Sequence, residues 1–81
     1  MTLAYTKSAL ESLGNLPKPI RKAFYKQVDF LVRDLQHPSM RAKKYDEASG
    51  RWQARVNRNW RFYFRIIGDR YVIEDVVPHP K

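Results

Sequence analysis

Residues 51–78 read RWQARVNRNWRFYFRIIGDRYVIEDVVP, and the fold turns on how this stretch divides. Trp52, Ala54 and Val56 alternate with Gln53 and Arg55, the period-two pattern of a strand with one face in a core. Asn57-Arg58-Asn59 makes a tight connection, Trp60 to Ile67 a second strand, Gly68-Asp69 a turn, and Arg70 to Val77 a third strand. The stretch is therefore a three-stranded antiparallel meander. On its middle strand Phe62, Phe64 and Ile66 share the apolar parity, with Trp60 at the strand's start. Arg61, Tyr63 and Arg65 take the opposite parity, and Gln53 and Arg55 join them when the hairpin keeps register. Trp52 and Trp60 follow the apolar set and read as packing residues.

Toward the N-terminus, Met40 to Gly50 (MRAKKYDEASG) is charged, has little apolar periodicity and ends in Ser-Gly. It reads as a loop with a short extended or helical start. Before it, Ile20, Phe24, Val28, Leu31 and Leu35 form one apolar stripe over four helical turns. That helix opens at Pro17 and Pro19, since proline is tolerated in a first turn, and His37-Pro38-Ser39 closes it. His37, placed there, complements the helix dipole and is given no functional role. Ala9, Leu10, Leu13 and Leu16 mark an earlier short helix that stops at Gly14-Asn15, and Thr2 to Tyr5 is a candidate edge strand. Helices separated by so few residues pair antiparallel. Neither the helical stripe nor the sheet's apolar face is stable in water, so each covers the other. The expected fold is α+β: an N-terminal helical hairpin packed on one face of a small antiparallel β-sheet, a single domain over residues 1–81.

The chain carries 16 Lys and Arg against 8 Asp and Glu, a formal net charge of +8. Such an excess points to a polyanion or an acidic protein partner. Residues 1–40 hold six basic and three acidic side chains and residues 41–81 hold ten and five, so the excess leans toward the meander. With no cysteine there is neither a disulfide staple nor a cysteine zinc site, which fits a reducing compartment. No apolar run approaches a transmembrane length, and the opening MTLAYTKSAL lacks a signal peptide's charged start and long apolar core. The sequence reads as a cytoplasmic protein without a membrane partner.

An outward sheet face must be polar in any case, and arginine and tyrosine fit strands well. Here, however, arginine dominates the face, acids on it are few, and His79 lies at the far end between Pro78 and Pro80. Guanidinium groups bind phosphate bidentately and exposed aromatics stack on unpaired bases. A flat sheet bearing Tyr63 suits single-stranded RNA better than the major groove of duplex DNA.

The run RWQARVNRNWRFYFRIIGDRYVIEDVVPHPK resembles the C-terminal half of the RelE/ParE superfamily of bacterial toxins. The shared features are an Arg-Val strand, a tight turn, an aromatic-Arg pair, an acidic-Gly turn and a last strand ending near a histidine. The motif match covers about residues 40–81, and the preceding helices agree in kind and order. The resemblance implies a toxin neutralised by a cognate antitoxin, and in the RelE branch a ribosome-dependent endoribonuclease acting on mRNA. It implies catalysis without metal or cofactor, by attack of the substrate's own 2′-hydroxyl, and higher oligomers formed only through the antitoxin. Carried over by position, Arg55 and Arg61 would stabilise the phosphorane, and His79 would be its acid or base, histidine being the side chain that changes charge near neutral pH. Lys43, Lys44, Tyr63, Arg65 and Lys81 would contact RNA, Tyr63 by stacking and the cations by holding flanking phosphate. Glu47 is a further conceivable base from the loop. Two departures leave an alternative open. Gln53 stands where the most basic members have lysine, and many active nucleases continue past the histidine to another arginine and a tyrosine. A ParE-like toxin that inhibits gyrase by protein contact, or a member that binds only its antitoxin, is the competing expectation.

Overall fold

The computed structural model describes residues 1–79 of the chain, in the order β1 (Thr2–Tyr5), α1 (Lys7–Gly14), α2 (Lys18–Arg33), β2 (Lys43–Asp46), β3 (Arg51–Arg55), β4 (Trp60–Ile67) and β5 (Arg70–Pro78). Thr6 starts α1 by accepting the Ala9 N–H on its hydroxyl at 3.0 Å, satisfying one of the free donors of a first turn. Pro19 sits in the first turn of α2, where its missing N–H costs nothing. Arg21 of α2 reaches back to the carbonyls of Leu13 and Leu16 and so caps the end of α1. The chain is α+β, with two helices packed on a five-stranded sheet of order β1-β5-β4-β3-β2.

The meander is as expected, with Ala54 opposite Phe62 and Phe62 opposite Val76. The sheet departs from expectation at both edges. β1 does take the open edge of β5, but it runs parallel to it, from Thr2 beside Arg70 to Tyr5 beside Ile73, so the sheet is mixed. Thr6 continues that pairing, its N–H donating to Ile73 O and its hydroxyl to Glu74 O, and α1 follows along the part of β5 that β1 leaves uncovered. At the other edge, the segment expected as a loop contains β2, paired antiparallel with β3. All four of its residues are exposed. A strand with neither face in the core shows no apolar alternation, and its lysines blunt an edge that would otherwise invite another strand.

The core lies between α2 and the inner face of the sheet. Phe24 meets Phe62 edge-on at 5.4 Å, and Leu31, Met40, Phe64 and Ile73 are fully buried around them. Each such side chain contributes roughly 1.5–3 kcal/mol of transfer free energy. Trp52 and Trp60 pack against this cluster, as their parity requires. Two expected core residues are outside it. Leu10 is 58% exposed, because the eight-residue α1 turns only Ala9 and Leu13 inward. Ile66 has the inward parity but is 40% exposed, one pair from the solvated Gly68 turn. The second helix also stops earlier than expected, at Arg33, and His37 lies beyond it, stacked on Phe30 at 3.9 Å rather than capping the helix. No helix among the described residues is long and apolar enough to cross a membrane.

Candidate nucleic-acid interface

Arg55 and Arg61 stand directly opposite each other across the β3–β4 pair. Like charges so placed normally destabilise a sheet by about 0.2–1 kcal/mol. The tight connection between the strands supplies the offset. Asn57 O accepts from Arg55 Nε at 3.3 Å and from Arg61 Nη1 at 2.8 Å, and Trp60 O accepts from Arg61 Nη1 at 3.0 Å. The two guanidiniums are thereby fixed by backbone carbonyls, while among the described residues neither has an acidic partner. Partial burial, and then the charges of Arg55 and Arg41, hold the Arg61 guanidinium below the usual arginine range, with Tyr63 pulling the other way. Arginine stays charged at any physiological pH, so the shift records a charge that burial, and then repulsion, disfavour and that a bound anion would favour.

The pair lines an open cleft of about 240 Å³ together with Met40, Arg41, Lys43, Gln53, Ala54 and His79. Three of the residues carried over from the sequence, Arg55, Arg61 and His79, therefore meet there, and Lys43 joins them. His79 is held at the rim by its N–H, which donates to Asn59 O at 2.8 Å. Arg41 is an addition that the sequence reading missed. Its φ of 49° places it in the left-handed region, which a non-glycine residue adopts only when the surroundings require it. Those surroundings are visible: Met40 is fully buried, and its carbonyl accepts the Arg55 N–H at 2.7 Å. Gln27 on α2, only 7% exposed, donates through Nε2 to Arg55 O at 2.8 Å and to Ser39 O at 3.2 Å, and accepts from Ser39 Oγ at 3.1 Å. The helix thus pins the 39–41 corner and the end of β3 together. The only sequence signal for Arg41 was its place in MRAKK, three cations within four positions.

The other expected contacts are elsewhere. Arg65 Nε donates to Glu74 Oε2 at 2.7 Å, and Arg51 Nε lies 3.4 Å from Glu74 Oε1, off the hydrogen-bond direction, so both arginines share one carboxylate. Lys44 pairs in register with Trp52, which puts it on the face opposite Lys43, and its ammonium sits 3.7 Å from Glu47. That contact also occupies Glu47, which does not reach the cleft. Tyr63 has the expected outward parity but is only 8% exposed, with Arg51 lying 4.3 Å over its ring and Tyr45 against it at 5.2 Å. No base can stack on a ring so covered. Lys81 lies outside the described residues.

The YoeB/ParE toxin from Agrobacterium tumefaciens superposes on 99% of this chain and 100% of its own, with a TM-score of 0.82 and 16% identity. The chain has the RelE/ParE toxin fold. Other structures with this fold agree. The archaeal RelE–RelB complex from Pyrococcus horikoshii matches over 95% of this chain and 92% of that one, with a TM-score of 0.78 and 17% identity. The isolated RelE toxin of E. coli matches over 99% and 85%, with a TM-score of 0.78 and 12% identity. No protein-family model and no curated protein matches the sequence itself. The likeness to RelE/ParE toxins is thus carried by the order and packing of the elements, with little of it in residue identity.

Proposed function

We propose that this chain is the toxin of a type II toxin–antitoxin pair, acting in the cytoplasm as a metal-independent endoribonuclease on ribosome-bound mRNA. The observation that carries this reading is the cleft: four cations without acidic partners among the described residues, beside a histidine, on a toxin fold. In the reaction the 2′-oxygen of the substrate forms a bond to the adjacent phosphorus, the bond from phosphorus to the 5′-oxygen breaks, and a cyclic phosphate and a 5′-hydroxyl result. One proton leaves the 2′-hydroxyl and one reaches the departing 5′-oxygen. His79 is the group at the rim suited to move one of them. Arg55 and Arg61, already held by carbonyls, need no reorganisation to face the charge that grows on the phosphorane, which is where fixed donors act most strongly. Arg41 and Lys43 hold the neighbouring phosphates.

The chain's own antitoxin is proposed by analogy with the RelE–RelB complex and with the YoeB–YefM complex from Staphylococcus aureus. An acidic or amphipathic segment lying across the cleft would both bind and silence it.

Primer extension on translated mRNA, after induction of the wild type and of Arg61→Ala, tests the nuclease reading. Cut sites present with the wild type and reduced about 10²–10³-fold in the variant are expected, the usual consequence of losing one transition-state donor. Unchanged cut sites would remove Arg61 from the mechanism. Growth arrest with DNA-damage signalling and no cleavage would favour the gyrase-directed alternative.

A further inference from the structure

Tyr63 was the aromatic that sequence parity placed on the basic face, and it is covered. The aromatic that remains open there is Tyr45. It belongs to β2, has the same outward parity as Lys43 by simple alternation, and sets its ring against Tyr63, at 5.2 Å and 69°. Packed edge-to-face, the ring has a fixed position, yet Tyr45 remains 57% exposed. Two residues back along the same strand, Lys43 stands in the cleft wall. Two strand residues span roughly 6.5 Å, about one nucleotide step of an extended single strand. A phosphate held by Arg55, Arg61 and Lys43 would therefore carry the base of an adjoining nucleotide to Tyr45.

From this juxtaposition we propose that Tyr45 is a stacking platform for one unpaired base of single-stranded RNA flanking the phosphate cleft; this rests on the reading of the cleft as an RNA site. The chemistry fits the position. Stacking on an aromatic face accepts any base, so the platform adds affinity and sets the strand's path without selecting sequence. It also assigns separate tasks to the two tyrosines. Tyr63, under Arg51, is the rigid backing that keeps Tyr45 from lying flat against the sheet, and Tyr45 meets the ligand. A ring on an edge strand is open on the side away from the sheet, as a base that must slide in requires.

The test uses the full chain and two fluorescent oligonucleotides of equal length, one of 2′-O-methyl RNA, which cannot be cleaved by 2′-attack, and one of the same backbone with abasic positions. Equilibrium binding is measured for the wild type, Tyr45→Phe, Tyr45→Ala and Arg61→Ala. The wild type and Tyr45→Phe are expected to prefer the base-containing strand by about tenfold, the scale of one stacked base. Tyr45→Ala is expected to erase that preference while binding the abasic strand as the wild type does. Arg61→Ala weakens both strands alike. A preference retained in Tyr45→Ala, with Arg61→Ala still impaired, overturns the platform and leaves the phosphate cleft standing; a protein-partner role for the exposed ring would give that result. If the wild type binds neither strand, the RNA reading fails and the platform falls with it. Thermal midpoints equal to the wild type's, expected for a change at so exposed a ring, show that the alanine variant is folded.

Discussion

Arg55 and Arg61 face each other at a separation that a sheet optimised for stability would avoid. Their placement makes sense as a site that is completed by an anion. Replacing one should therefore relieve the fold while ending its function. Arg55→Gln is expected to raise the thermal midpoint by a few degrees at low salt, from about 0.2–1 kcal/mol of relieved repulsion, and to lose cleavage. Scanning calorimetry at low and high salt checks this, since the gain should shrink once salt screens the wild-type pair. Tyr63 offers a second reading at this scale. Burial first, and then Tyr45, raise its phenol above the ordinary tyrosine value, against the pull of Arg51 and Arg61. The folded protein then holds this proton more tightly than the unfolded chain. Its contribution is fully present below the unfolded value of about 10 and is lost as pH rises through the higher folded value. Tyr63→Phe should keep its midpoint to a more alkaline pH than the wild type, as followed by circular dichroism.

At the scale of elements, what was legible followed burial. β3, β4 and β5 each have one face in the core, so their alternation announced them, and α2 showed its stripe for the same reason. β2 has no buried face and left no such trace. Parity located Arg55 and Arg61 but could not say which cations have acidic partners. That depends on a bulge: Tyr63 pairs with Asp75 and Phe64 with Ile73, leaving Glu74 as the extra residue whose carboxylate takes Arg65 and Arg51. Nor could parity find Arg41, whose direction is set by a left-handed corner that Gln27 holds from another element. Gln27→Leu tests that support. It leaves the Arg55 and Ser39 carbonyls without their buried donor, at about 1–3 kcal/mol for each unmet group. A loss of stability in urea of about 2–6 kcal/mol is expected, together with impaired RNA binding, whereas Gln27→Glu, which keeps an acceptor for Ser39 but not the donor, should restore neither.

Across the whole molecule, the count of 16 Lys and Arg overstates what a nucleic acid would meet. Glu74 holds Arg51 and Arg65, Glu47 holds Lys44, and Asp29 holds Arg33. The cleft brings together only Arg41, Lys43, Arg55 and Arg61. Counterion release then gives a number to check. For single strands the slope of log affinity against log salt is about −0.7 per phosphate neutralised, so four cations predict a slope of about −3. Involvement of every basic side chain would give a slope several times steeper. Removing the carboxylate that clamps the other two arginines should extend the site along the sheet. Glu74→Gln is therefore expected to bind a single-stranded oligoribonucleotide more tightly at low salt and with a slope of about −4. Fluorescence anisotropy over a salt series measures both. An unchanged slope in Glu74→Gln would mean that the strand never reaches Arg65, and that its path is confined to the cleft and the β2 edge beside it.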